Sequence, residues 1–112
     1  MQPDQVRYPN SKLANTIFSC ALASRATASG KQWAVNIFDP GWQGVTTSTT
    51  LLSGQGLAEL VTDPKYANET GKMIRIQTEI QPSKQAIDPD VQDDLWNWTV
   101  KFLKLSPKQA DV

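Results

Sequence analysis

The sequence has no histidine and only one cysteine, Cys20, among its 112 residues. A single cysteine cannot form a disulfide within the chain. The usual zinc ligands are also missing, so we expect no metal site. Eleven Lys and Arg residues balance eleven Asp and Glu residues, so the formal net charge is zero. This balance argues against nucleic acid or an anionic membrane surface as a partner.

Long apolar runs are absent as well. No stretch approaches 18 consecutive apolar residues, so no transmembrane segment is predicted. The first residues, 1–7, are polar and lack the apolar core of a secretory signal. We therefore expect a cytoplasmic protein by default.

A glycine-rich phosphate-binding turn is missing too. Gly54-Gln55-Gly56 is the only Gly-x-Gly in the chain, and it follows a Thr/Leu stretch instead of a strand. It also lacks a third glycine three residues further on, which the dinucleotide-binding fingerprint requires. We do not expect this segment to bind a phosphate.

The length allows one domain, residues 1–112, and the pattern predicts an α/β fold. Pro9 suits the first position of a helix and disfavours helical geometry at Tyr8, so we place Tyr8 at the helix edge. Asp88 and Pro89 are typical of a helix start. The predicted elements are a long helix over 9–29, a strand over 33–38, a loop over 42–50, a short helix over 51–62, a strand over 73–80 and a helix from 88 to about 105. Residues 1–7 and 106–112 are predicted to be flexible.

Apolar periodicity indicates which faces are buried. Residues 33–38 suit a strand of a parallel sheet that is buried on both faces, and 73–80 suit a half-buried strand at a sheet edge. Two helical stripes are predicted to pack, the second either in the core or in a subunit contact. The first comprises Ala14, Ile17, Phe18, Ala21 and Leu22, and the second Val91, Leu95, Trp98 and Phe102.

Tyr8 and Lys12 form the most informative pair. Four residues make about one helical turn, so both side chains project from one face. A nearby ammonium favours the phenolate and lowers the phenol pKa. Such a tyrosine is suited to giving a proton to a carbonyl oxygen or taking one from an alcohol. A surface Tyr and Lys on a helix share this spacing. Ser11 fits a helix serine bonded to a backbone carbonyl.

The residues after this pair make the pattern more specific. Tyr8-Pro9-Asn10-Ser11-Lys12-Leu13-Ala14-Asn15 heads a small-residue helix, and the following strand ends in Asp39-Pro40-Gly41. This order resembles the second half of the short-chain dehydrogenase/reductase family. It is most similar to the branch of retinol-dehydrogenase-type and protochlorophyllide-reductase-type enzymes. The resemblance covers residues 8 to about 105. It implies the carboxy-terminal portion of a Rossmann-like, doubly wound parallel sheet.

The resemblance also implies site residues. Tyr8 is the expected acid/base group, and Lys12 is expected to lower its pKa and bind the ribose of NAD or NADP. Pro40 and Gly41 are expected beside the nicotinamide, and Trp42 beside the substrate. The family usually has a threonine four residues after the glycine. That position is Val45 here, so Thr46 is named instead.

Two functions follow from these expectations. The first is an NAD(P)-dependent oxidoreductase acting on a small-molecule substrate that carries a carbonyl or an alcohol. The Gly-rich half and the catalytic serine of the family would precede residue 1, so the chain resembles a carboxy-terminal fragment that is inactive alone and needs a companion N-terminal half. The alternative is a non-catalytic remnant that acts as an interaction module or homo-oligomer through the first helix, residues 9–29.

Overall fold

The structure, a computed structural model, describes residues 3–41 and 49–112, without the side chains of residues 3, 4 and 49. It has an α/β fold with a three-stranded mixed sheet of order β1-β2-β3. The elements are α1 Pro3–Ala28, β1 Ile37–Asp39, α2 Thr49–Thr62, a 3-10 turn Pro64–Tyr66, β2 Met73–Arg75, β3 Thr78–Ile80, α3 Pro89–Phe102 and α4 Pro107–Ala110.

The sheet contains one parallel and one antiparallel pair. β1 runs parallel to β2, with Ile37 opposite Met73. β2 and β3 form a hairpin, with Met73 opposite Ile80. The single strand predicted over 73–80 is therefore wrong, because the chain turns between β2 and β3. Ile76 makes this turn with a φ of 57°, and β-branched residues rarely adopt that conformation, so the apolar alternation gave no sign of it.

The long helix starts earlier than predicted. α1 begins at Pro3, so Pro9 lies inside the helix and Tyr8 is not at its edge. Pro9 lacks the N–H that would bond to the carbonyl of Gln5. Gln5 is exposed, so water can replace that bond and the proline is tolerated near the helix start. The flexibility of 1–7 stays a prediction.

Small residues let α1 lie close to the segment just before β2. Ile17 and Ala21 are buried as the stripe predicted, and Ala23 and Ala26 are buried as well. A Cβ added at Gly71, just before β2, would lie 3.6 Å from the Cβ of Ala23. The contact between α1 and this segment therefore depends on small residues on both partners.

β1 is shorter and less buried than predicted. It covers Ile37–Asp39, and all three residues are half-buried. Trp33, which was expected inside a buried strand, is 48% exposed. Before β1 the chain still follows the neighbouring segment, since the carbonyl of Val35 accepts a 2.7 Å bond from the N–H of Gly71.

Helix α3 packs along α1 through an aromatic contact. It starts as predicted, with Asp88 accepting a bond from the N–H of Asp90 and Pro89 in the first turn. Trp96 stacks on Phe18 of α1, with ring centres 5.5 Å apart. Trp98 and Phe102 were predicted to lie in the core or in a subunit contact. The core alternative is wrong, because these two rings stack on each other and are 58% and 66% exposed. A subunit contact stays a prediction.

Two short features complete the chain. α2 begins at Thr49, two residues before the predicted start, and ends at Thr62 as expected. Residues 106–112, predicted to be flexible, contain the single turn α4, which Ser106 caps by accepting a bond from the N–H of Gln109. Whether this end is flexible stays a prediction.

Candidate functional site

An open groove of about 450 Å³ lies between α1 and the carboxyl end of β1. It brings three of the predicted site residues, Tyr8, Lys12 and Pro40, to one place. The full lining is Tyr8, Lys12, Asn15, Thr16, Ser19, Ile37, Phe38, Asp39, Pro40 and Met73. One wall is thus a polar helix face, and the other is the end of a parallel strand, where open α/β sheets bind ligands.

Tyr8 and Lys12 share one face of α1, as their spacing predicts. The Nζ atom of Lys12 lies 5.4 Å from the centre of the Tyr8 ring. The Tyr8 side chain is accessible to a ligand, because the residue is 68% exposed. This contact places the ammonium of Lys12 over the aromatic ring of Tyr8.

Several hydroxyls on this helix face are already bonded to the helix backbone. Ser11 donates to the carbonyl of Tyr8 at 2.7 Å, Thr16 to that of Lys12 at 3.0 Å, and Ser19 to that of Asn15 at 2.9 Å. The Ser11 bond agrees with its interpretation as a helix serine. Tyr8 and Lys12 are therefore the candidate proton-transfer groups among the predicted residues described in this groove.

The turn after β1 is fixed by a carboxylate. Asp39 accepts a 2.8 Å bond at Oδ1 from the N–H of Gly41, and it accepts at Oδ2 from Arg75 at 2.9 Å. The hydroxyl of Ser53 in α2 donates to the carbonyl of Pro40 at 2.8 Å. Asp39, Arg75 and Ser53 were missed in the sequence, because only the pairing of β1 with β2 and the position of α2 bring them together.

Gly41 has a φ of +74°, in the left-handed region that glycine adopts without strain. A Cβ at this position would lie 3.6 Å from Cδ1 of Ile76, an ordinary contact distance. The backbone conformation, more than crowding, therefore accounts for glycine here. Trp42 and Thr46, the other predicted ligand-binding residues, lie outside the described residues.

The residues around this groove suit the ribose of a dinucleotide better than its pyrophosphate. Lys12 can donate to a ribose hydroxyl, and the Pro40–Gly41 turn offers backbone at the strand end. For the pyrophosphate, Gly54 and Gly56 lie within α2 instead of before a helix. A Cβ at Gly56 would lie 2.5 Å from the carbonyl oxygen of Ile76, so this glycine serves helix packing.

Other site types find little support in the described ranges. Within 3–41 and 49–112, no group of three or more His, Cys, Asp or Glu side chains could hold a metal ion. No helix in those ranges is long and apolar enough to cross a bilayer. Cys20 is buried, and burial raises the pKa of its thiol, which disfavours a nucleophilic thiolate.

Comparison with known proteins gives a distant match. No family model matches the chain, and no solved structure matches it. The curated short-chain dehydrogenase TIC 32 A, chloroplastic, from Brassica napus is 28% identical over 121 aligned positions. Its counterpart TIC 32 B from the same plant is also 28% identical. Each match covers 89% of this chain and only 37% of the relative. The chain is therefore similar, at a distance, to part of a short-chain dehydrogenase.

Proposed function

We propose that this chain is the tyrosine- and lysine-bearing part of an NAD(P)-dependent oxidoreductase of the short-chain dehydrogenase/reductase type. The observation that carries the proposal is that Tyr8 and Lys12 line the same groove as Pro40, at the carboxyl end of a parallel strand. The distant similarity to two short-chain dehydrogenases supports it. The Rossmann-like architecture and the retinol-dehydrogenase or protochlorophyllide-reductase branch are part of the proposal.

The proposed chemistry is the reduction of a carbonyl or the oxidation of an alcohol. A bound nicotinamide would supply or accept the hydride. Tyr8 would donate its phenolic proton to the substrate oxygen during reduction and accept a proton during oxidation. Lys12 would hold the ribose and favour the phenolate at Tyr8. Trp42 and Thr46 are proposed contacts of the substrate and the cofactor amide, respectively.

We propose further that the chain is inactive alone. The described residues offer no phosphate-binding turn, and most contacts to the pyrophosphate would have to come from a companion N-terminal half. The match to 37% of each relative is in line with this division. A cytoplasmic location remains a proposal, since both relatives are described as chloroplastic.

Titration of NADPH fluorescence with this chain tests the first part. We expect no saturable binding in the micromolar range, and saturable binding at that concentration would contradict the need for a companion. Co-expression with the amino-terminal part of the Brassica napus relative, up to the start of the match, tests the second part. We expect NADPH binding to appear in the complex.

A second candidate is a non-catalytic interaction module that self-associates through residues 9–29. Its support is an exposed apolar side chain within this range, since Phe18 is 38% exposed. Light scattering at two protein concentrations would reveal a dimer. Under this candidate, Tyr8→Phe would leave every function of the assembled protein unchanged.

A further inference from the structure

One side of α3 is held against α1, and the opposite side is open. Trp96 stacks on Phe18 of α1. Asp93 forms a 2.7 Å ion pair with Arg25 of the same helix. Residues that lie two positions apart in a helix point in directions about 200° apart. Trp98 therefore points away from α1, and it is 58% exposed.

A row of large apolar side chains runs along the open side of α3. Its members follow each other at spacings of four, three and four residues, so they fall on one face of the helix. We call them the α3 stripe: Val91, Leu95, Trp98 and Phe102. Val91 and Leu95 are half-buried, while the rings of Trp98 and Phe102 stack on each other and Phe102 is 66% exposed. An exposed apolar row of this kind is typical of a surface that binds another protein.

The charges beside the α3 stripe change sign along the helix. Asp90 and Asp94 lie in its first half, Lys101 lies in its last turn, and Lys104 follows its end. All four residues are exposed, and within residues 3–41 and 49–112 none of them takes part in an ion pair. Asp94 and Lys101 are about two helical turns apart, so they flank the stripe on the same side.

The α3 stripe is complementary to itself in the antiparallel direction. When two copies pair around the middle of the stripe, Val91 lies opposite the partner's Phe102, and Leu95 lies opposite the partner's Trp98. One centre serves both pairs, because positions 91 and 102 have the same midpoint as positions 95 and 98. A two-fold axis forms each contact twice. Each aliphatic side chain of the stripe therefore meets an aromatic ring of the other copy.

The flanking charges fit the same pairing. When two antiparallel helices are related by a two-fold axis, the same flank of each helix meets. Asp94 would then lie beside the partner's Lys101, about 3 Å away along the helix axis, which is within the reach of the two side chains. The axis repeats this contact between Lys101 and the partner's Asp94. Two ion pairs of opposite charge favour this register over others.

A second copy fits this face better than a membrane or a partner with charge of one sign. An anionic surface would attract Lys101 and Lys104 but repel Asp90 and Asp94, and a basic partner would do the reverse. A second copy in the antiparallel direction satisfies both ends of the helix. The formal net charge of the chain is zero, so no net repulsion opposes the association of two copies.

We propose that two copies of this chain associate through α3. The helices pair in antiparallel fashion about a two-fold axis, the α3 stripes pack on each other, and Asp94 of each copy bonds to the partner's Lys101. This contact uses neither residues 9–29 nor the groove of Tyr8, so it is independent of the oxidoreductase proposal. One helix face is smaller than a standard protein interface, and we therefore expect a reversible dimer that depends on concentration.

Sedimentation equilibrium of the full chain tests the proposal at protein concentrations from about 10 µM to about 1 mM. We expect a reversible equilibrium between monomer and dimer within this range. A chain that stays monomeric at every concentration would overturn the proposal.

Two tryptophans of similar exposure provide a matched pair of variants. Trp98 in the α3 stripe is 58% exposed, and Trp33 before β1 is 48% exposed. Trp98→Lys should raise the dissociation constant of the dimer by at least about tenfold, because association would then bury an unpaired charge. Trp33→Lys should dimerise like the wild type. Equal effects of the two variants would contradict the proposed position of the contact.

Reversal of the flanking charges tests the orientation of the two helices. Asp94→Lys places like charges together at both ion pairs of its own dimer, and Lys101→Asp does the same. Each variant alone should dimerise at least about tenfold more weakly than the wild type. A mixture of the two variants should dimerise like the wild type, because each chain then carries the charge that the other needs. A mixture that stays as weak as the single variants would overturn the antiparallel pairing, and a folding defect could not produce the expected rescue.

The same variants distinguish the other possible occupants of this face. Dimerisation that Trp98→Lys, Asp94→Lys and Lys101→Asp all leave unchanged would overturn the α3 contact in favour of another surface, such as residues 9–29. Cosedimentation with phosphatidylserine vesicles tests a membrane surface. Vesicle binding by a monomeric chain that Trp98→Lys abolishes would overturn the proposal in favour of a membrane.

Discussion

Asp39 and Arg75 join the ends of the two parallel strands, since Oδ2 of Asp39 accepts a 2.9 Å bond from Nε of Arg75 and forms an ion pair, also at 2.9 Å, with a terminal nitrogen of the same guanidinium. The other carboxylate oxygen accepts from the N–H of Gly41. One side chain therefore connects the register of the sheet with the turn at the candidate site. The Asp39 side chain is 21% exposed and the Arg75 side chain 56% exposed.

We expect Asp39→Ala to destabilise the chain by about 1–2 kcal/mol, because the N–H of Gly41 loses its acceptor. Arg75→Met should cost less than about 1 kcal/mol, since exposed ion pairs contribute little. Urea unfolding of the two variants measures both values. A larger loss for Arg75→Met would show that the ion pair, and not the turn bond, dominates.

Two glycines of α2 should respond oppositely to alanine. Gly54 has open space around it, so Gly54→Ala should stabilise the helix by up to about 1 kcal/mol. At Gly56 an added Cβ would lie 2.5 Å from the carbonyl oxygen of Ile76, so Gly56→Ala should cost about 1–3 kcal/mol. Thermal unfolding of both variants is the measurement. Equal shifts would contradict the close packing of α2 on the hairpin turn.

Trp96 and Trp98 should also differ. Trp96 stacks on Phe18, and the guanidinium of Arg25 lies 4.7 Å from its ring centre while also bonding to Asp93. Trp96→Ala should cost about 2–4 kcal/mol through lost packing. Trp98→Ala should cost less than about 1 kcal/mol, because the ring is 58% exposed. Denaturant unfolding that reverses this order would contradict the packing of α3 on α1.

The buried thiol of Cys20 should make the free energy of unfolding depend on pH in the alkaline range. Burial raises the pKa of its thiol, so the folded thiol stays protonated where the unfolded thiol, with an ordinary pKa of about 8.5, begins to ionise. The unfolded state then binds fewer protons, and stability falls as pH rises from about 8.5 through the raised folded value. Unfolding of the wild type and of Cys20→Ala between pH 7 and 10 measures this effect. A decline of the same size in Cys20→Ala would assign it to other groups.

The sequence patterns predicted local features well and long-range contacts poorly. The start of α3 was predictable because a cap uses only Asp88 and its neighbours. The pairing of Tyr8 with Lys12 was predictable because it needs only one helical turn. The hairpin turn at Ile76 was not, since its conformation depends on packing against Gly56.

Burial was the other property that local patterns missed. The helical period correctly grouped Trp98 with Phe102, but it could not show which face meets α1, and Trp96 takes that place. Asp39 and Arg75 are 36 residues apart, so only the sheet register reveals that they meet. The contact that holds the Pro40–Gly41 turn in place could therefore not be predicted from the sequence.

In the proposed reaction, Tyr8 transfers the proton to the substrate oxygen. NADPH consumption with a panel of aldehydes and ketones, measured on the complex with the amino-terminal part of the Brassica napus relative, tests it most directly. Tyr66 is the matched control, because Lys65 lies 4.7 Å from its ring centre in a second Tyr–Lys contact outside the groove of Tyr8. We expect Tyr8→Phe to lower kcat by about 10²- to 10⁴-fold without loss of NADPH binding, and Tyr66→Phe to retain activity. Full activity in Tyr8→Phe would contradict the account.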